Sequence, residues 1–139
     1  MPVSPGGTAI PGQGGAGYLY PSLERATPAK DVIGAVMVVG GGIAGMQASL
    51  DLADQGFKVY LVEVQSAIGG KMAQLDKTFP TNDCAMCTIS PKLVDVGRHA
   101  NIQLMTDTEV LDIRGQAGNF TVNLRHHPRY IDTSKCIGC

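Results

Sequence analysis

The sequence predicts an α/β fold built on a βαβ unit, and three observations carry that prediction. A short apolar run, Ala35-Val36-Met37-Val38-Val39, ends in Gly40-Gly41-Gly42. Apolar residues then recur at helical spacing through Ile43, Met46, Leu50 and Ala53. A second run, Lys58-Val59-Tyr60-Leu61-Val62-Glu63, follows at once and ends on a carboxylate. Strand, glycine turn, helix and strand in this order make a Rossmann-like unit with a right-handed crossover.

Each element has a local reason. The continuous apolar run at 35–39 is that of a strand buried on both faces. The helix from Ile43 to Gln55 is amphipathic, and Gly56 supplies its stop. Beyond the second strand comes a loop with Gly69-Gly70, then a stretch through Cys84 and Cys87 whose periodicity is ambiguous. A short helix is predicted from near Pro91 to Gly97, because Pro suits a first helical turn and Gly a stop. The last third reads as β: Ile102 to Met105, then Glu109 to Arg114 and Phe120 to Arg125 joined by a turn containing Gly115 and Gly118.

Residues 1–33 are different in texture. They hold five of the eight prolines and six glycines, with no charged residue before Glu24. Such a segment has little apolar surface to set against its ordering entropy, so a flexible arm is expected, serving either as a linker or as a partner-binding extension. The domain reading is therefore an arm at 1–33, a dinucleotide-binding domain at 34–129 and a distinct cysteine-bearing segment at 130–139.

Charge and length narrow the function. The chain of 139 residues carries 11 Lys and Arg against 12 Asp and Glu, a formal net charge of −1. No long-range positive field draws it to nucleic acid or to an anionic membrane. No apolar run approaches the ~18 residues of a bilayer span, and no signal peptide is visible, so a cytoplasmic chain is expected. Its four cysteines form two C-x-x-C pairs, which in a reducing compartment point to redox or metal chemistry. Met37, Met46, Met72, Met86 and Met105 read as core filler.

Gly40-Gly41-Gly42-Ile43-Ala44-Gly45 is a G-x-G-x-x-G motif between strand and helix, the context in which it binds a dinucleotide. Gly40 permits the tight turn, Gly42 lets a pyrophosphate approach the backbone, and Gly45 lets helix and sheet pack closely. The diphosphate then meets free N–H groups at the positive end of the helix. Glu63, 23 residues after Gly40, is placed to accept both hydroxyls of an adenosine ribose. A carboxylate there disfavours a 2′-phosphate, so the expected ligand is FAD or NAD rather than NADP.

Glu63 is followed by Val64, four further residues, and then Gly69-Gly70-Lys71. This E-x5-G-G continuation resembles the two-dinucleotide-binding-domain flavoproteins. The resemblance implies FAD, with the glycine pair at its pyrophosphate and ribityl region, Lys71 beside it, and the backbone of Val110 near the adenine on a β-meander strand. A complete domain of that kind also carries a return strand with an Asp for the ribityl chain. No candidate for it is visible in these 139 residues, so the chain is expected to be truncated before the rest of the flavoprotein.

Cys136-Ile137-Gly138-Cys139 looks like the opening half of a bacterial ferredoxin motif, in which four thiolates hold a [4Fe–4S] cluster. Three readings of Cys84 and Cys87 stay open: a redox dithiol, cluster ligands, or a zinc site shared with Cys136 and Cys139. The 48 residues between Cys87 and Cys136 exceed the spacing of a zinc ribbon and argue against the last.

Taken together, the stretches Val39–Ala48, Ile68–Lys71, Phe79–Lys92 and Cys136–Cys139 resemble the heterodisulfide reductase A-subunit family, including its quinone-interacting oxidoreductase relatives. The resemblance implies an oxidoreductase subunit that passes electrons between FAD and iron–sulfur clusters. Its partners would be the other subunits of a heterodisulfide-reductase-like or quinone-interacting complex, with no nucleic acid and no membrane insertion. Two other functions remain open from the residues: a non-catalytic nucleotide-binding assembly module and a small four-cysteine metal protein.

Overall fold

A computed structural model describes residues 34–132 and 135–137; the arm at 1–33 and Cys139 lie outside the described residues. A parallel sheet is formed by β1 (Ala35–Val39), β2 (Lys58–Val62) and β3 (Ile102–Met105), in that spatial order. Two helices connect them: α1 (Ile43–Asp54) and α2 (Ala85–Arg98), the latter preceded by a short 3-10 turn at Met72–Gln74. An antiparallel ribbon, β4 (Thr108–Gln116) and β5 (Asn119–His126), completes the described fold.

The register aligns apolar residues across the sheet. Val38 pairs with Leu61 and Leu61 with Leu104, while Val59 pairs with Ile102. Because alternate residues of a strand share a face, these five form one apolar layer. Met46 and Ala53 of α1 and Ile89 and Val96 of α2 cluster on the same core. At roughly 25 cal/mol per Å² of apolar surface, burying one such side chain contributes about 1.5–3 kcal/mol.

Two elements differ from expectation. β1 has no fully buried residue and Val39 is 60% exposed, because β1 is the edge strand among the described residues; the strand with the most complete burial is the central β2. The helix predicted from Pro91 begins at Ala85 instead, so Pro91 lies inside α2. Burial of Ala85, Ile89 and Val96 along one side of α2 outweighs the hydrogen bond that Pro91 forfeits, a case of tertiary packing overriding propensity. Met46 is buried, as expected of core filler, whereas Met86 is exposed.

The ribbon is pinned to the sheet at its base. The Thr108 N–H donates to the Glu63 carbonyl at 2.9 Å, and the His127 N–H to the Asp107 carbonyl at 2.7 Å. Thr108 Oγ1 donates to the Thr106 carbonyl and lies 2.9 Å from His126 Nδ1. Arg129 reaches Thr106 Oγ1 and the Asp107 carboxylate. Desolvation of its ring holds His126 below the ordinary imidazole value; Arg129 and His127 act in the same direction, and Asp107 opposes them.

A depressed folded-state pKa means that neutral His126 adds stability above the ordinary value of 6.5, and that this stability is lost as pH falls through and below it. The residue is largely exposed, so the effect is small. Urea denaturation is expected to show a modest loss of stability from about pH 7.5 to about pH 5, and His126→Asn to flatten it. No helix among the described residues is long and apolar enough to cross a membrane.

Candidate functional site

The glycine-rich turn joins the C-terminal end of β1 to α1 and carries the site. Gly40 has a φ of +103°, a left-handed conformation that glycine adopts without strain, and its N–H continues the sheet by donating to the Val62 carbonyl at 2.8 Å. Gly45 faces back onto that turn. A Cβ there would overlap the Gly40 carbonyl oxygen and touch Val38, so the close approach of helix and strand depends on its absence.

Gly42 caps α1 with extended backbone, and its carbonyl accepts from the Met46 N–H at 2.9 Å. No side chain caps this terminus and no acidic residue sits in the first turn. The N–H groups of Ile43, Ala44 and Gly45, at the positive end of α1, are therefore left without a side-chain cap. A Cβ at Gly42 would find nothing within 4 Å, so space is open where an anion would approach.

Glu63, at the end of β2, is 8% exposed. Its Oε2 accepts the Gly41 N–H at 2.6 Å and its Oε1 the Gln65 N–H at 2.8 Å. Each carboxylate oxygen has two acceptor directions, so one on each remains for a ligand. Glu63 thus also holds the shape of the turn, a role that a motif spacing does not reveal.

The second glycine pair folds onto the first. The Gly69 N–H donates to the Gly41 carbonyl at 2.7 Å, and Gly70, at φ +54°, approaches so closely that a Cβ on it would stand 3.0 Å from Gly42 Cα. Ile68 packs on Gly41, where a Cβ would lie 2.5 Å from Ile68 Cγ2. Sequence reasoning assigns Ile68 no role, although an apolar residue just before the glycine pair is its signal. A cavity of about 200 Å³ opens beside Glu63, lined by Val64, Gln65, Gly70, Lys71 and Gln74.

The remaining expected site residues fall elsewhere. Val110 is half-buried on β4, two residues beyond Thr108, whose N–H meets the Glu63 carbonyl. Cys84 and Cys87 are joined as a disulfide at the start of α2 and do not line the Glu63 cavity. Cys136 is exposed with a free thiol. Among the described residues no group of three or more His, Cys, Asp or Glu side chains is placed to hold a metal ion. Two of the three histidines lie beside carboxylates: His99 is 3.2 Å from Asp54 and His127 3.8 Å from Glu109.

Residues 34–137 match the pyridine nucleotide-disulphide oxidoreductase family. The chain is 54% identical over 121 residues to the iron-sulfur A-subunit 2 of the CoB–CoM heterodisulfide reductase of Methanopyrus kandleri, covering 87% of this chain and 18% of that protein. It is 58% identical over 103 residues to the A-subunit of the H2:CoB–CoM heterodisulfide,ferredoxin reductase of Methanothermobacter marburgensis, covering 74% of this chain and 16% of that protein. The chain thus spans under a fifth of the length of these relatives. The crystal structure of L-proline dehydrogenase from P. horikoshii is similar with a TM-score of 0.54 at 26% identity, over 66% of this chain and 19% of that one.

Proposed function

The chain belongs to the pyridine nucleotide-disulphide oxidoreductase family, and on that premise we propose that it binds the ADP half of FAD as part of an electron-transferring oxidoreductase subunit. The observation that carries this reading is the uncapped start of α1 at Gly42, set beside the buried carboxylate of Glu63. The residues present fit the group. The N–H groups at Ile43, Ala44 and Gly45 would receive the diphosphate, and the free acceptor directions of Glu63 the ribose hydroxyls. Gly69, Gly70 and Lys71 would border the pyrophosphate, and Val110 the adenine.

Bound FAD would supply one- and two-electron chemistry; the part of this chain is to bind and orient it. The relatives named as heterodisulfide reductase subunits support a place in a multi-subunit complex. Cys136 and Cys139 have the spacing of the first two thiolate ligands of a [4Fe–4S] cluster. A cluster of this kind takes four such ligands.

Anaerobic purification followed by an absorption spectrum and iron and zinc analysis tests the reading. Flavin bands, present on isolation or after addition of FAD, are the expected result. A folded chain that retains no flavin bands once added FAD has been removed by gel filtration overturns the flavin reading, and stoichiometric zinc in place of iron overturns the cluster reading.

A further inference from the structure

We propose that Arg129 is a positioning residue for the dinucleotide site: it acts through Asp107 and the backbone of Gln65 to hold the Glu63 carboxylate on the Gly41 N–H. Its effect on affinity rests on the dinucleotide-binding reading; its hold on Glu63 rests on geometry alone.

Glu63 lies just beyond β2, and backbone hydrogen bonds fix its surroundings. Its own N–H donates to the Met105 carbonyl at 2.8 Å, its carbonyl accepts the Thr108 N–H at 2.9 Å, and the Gln65 carbonyl accepts the Asp107 N–H at 3.0 Å. The last two donors belong to the corner that joins β3 to β4. The carboxylate, and the Gln65 N–H that it accepts at 2.8 Å, therefore take their place from the shape of that corner.

Local preference does not hold the corner. Asp107 has a φ of +53°, a left-handed conformation that Asp adopts more readily than most residues but still at a cost in energy. The far end of the ribbon supplies the restraint. The Asp107 carbonyl accepts the His127 N–H at 2.7 Å, and its carboxylate lies 3.4 Å from Arg129 Nε. Arg129 Nη2 donates in turn to Oγ1 of Thr106, which is 5% exposed. One planar guanidinium thus spans both residues of the corner, where an ammonium would have the charge without the fork. The side chains of Arg129 and Asp107 are 32% and 24% exposed, so solvent screens their attraction only in part.

Hydrogen exchange in the folded, isotope-labelled chain of 139 residues, followed amide by amide by NMR, tests the hold on Glu63 without a ligand. In Arg129→Gln the Gly41 and Gln65 amides, both bonded to the Glu63 carboxylate, are expected to exchange roughly three- to tenfold faster, while Leu50 and Ala53 inside α1 keep their rates. Unchanged rates at Gly41 and Gln65 overturn the proposal. So does an equal acceleration at all of these amides, the mark of a residue that only supports the fold. Should Arg129→Gln not fold, Asp107→Asn gives the same comparison, because asparagine keeps the left-handed backbone and removes the charge that Arg129 meets.

Flavin titration reads the consequence for binding. FAD affinity is expected to fall about three- to tenfold in Arg129→Gln, with part of the loss recovered in Arg129→Lys, which keeps the charge. Equal affinity in the unsubstituted chain and in Arg129→Gln contradicts the positioning role and leaves the dinucleotide reading standing. An unsubstituted chain that binds no FAD overturns that reading instead, while the exchange rates still decide the hold on Glu63.

Discussion

Gly45→Val is expected to abolish dinucleotide binding and to cost about 3 kcal/mol or more of folding stability, as overpacking at a rigid contact does. The new side chain would drive into the Gly40 carbonyl oxygen and press on Val38. Backbone oxygen cannot swing aside as a flexible side chain can, so α1 must move off the sheet. The contrasting substitution is Gly42→Ala. Gly42 has φ −75°, which alanine adopts readily, and its methyl would meet no protein atom within 4 Å. Stability should then change by no more than about 1 kcal/mol, the range for losing a good N-cap residue. Binding should still fall about tenfold or more, because the methyl stands where the pyrophosphate would approach. Urea denaturation with flavin titration of both variants separates the two effects.

Glu63→Ala is expected to cost about 1–3 kcal/mol and to weaken dinucleotide affinity about tenfold or more. Both carboxylate oxygens accept backbone N–H groups, from Gly41 and from Gln65, and alanine leaves those donors without an acceptor in a nearly buried place. The turn proposed to receive the diphosphate would lose its brace at the same time as a bound ribose would lose its acceptor. Glu63→Gln should fall between the two, because an amide presents one oxygen where two are used. If Glu63→Ala matched the unsubstituted chain in both stability and affinity, the double role of this carboxylate would be wrong.

The parts of the site that depend on backbone shape are legible in the sequence. Gly40 and Gly45 each answer a local steric need at a fixed spacing, and the strand and helix on either side define that need, whereas Gly42 meets none within the protein. Contacts between distant segments are not legible in this way. Nothing in the spacing of Gly41 and Gly69 says that the one carbonyl accepts the other's N–H at 2.7 Å, or that Ile68 covers Gly41.

The boundary of α2 escapes a local reading for a related reason. Pro91 is a strong local signal for a helix start, whereas the true start at Ala85 is set by burial against residues of the 3-10 turn and the sheet, which lie far from it in sequence or depend on the fold. β1 carries the apolar run of a fully buried strand, yet burial depends on neighbours at both its edge and its faces, and among the described residues it has β2 on one edge only.

The central claim, that the start of α1 beyond Gly42 receives the diphosphate and Glu63 the ribose, is tested most directly by equilibrium binding of FAD to the folded 139-residue chain. Flavin fluorescence anisotropy follows the binding, with ADP and 2′-phospho-ADP as competitors. Saturation at one FAD per chain is expected, with displacement by ADP and little displacement by the 2′-phosphorylated competitor, which Glu63 would repel. A folded chain that binds no FAD, or that releases it equally well to both competitors, would contradict the claim.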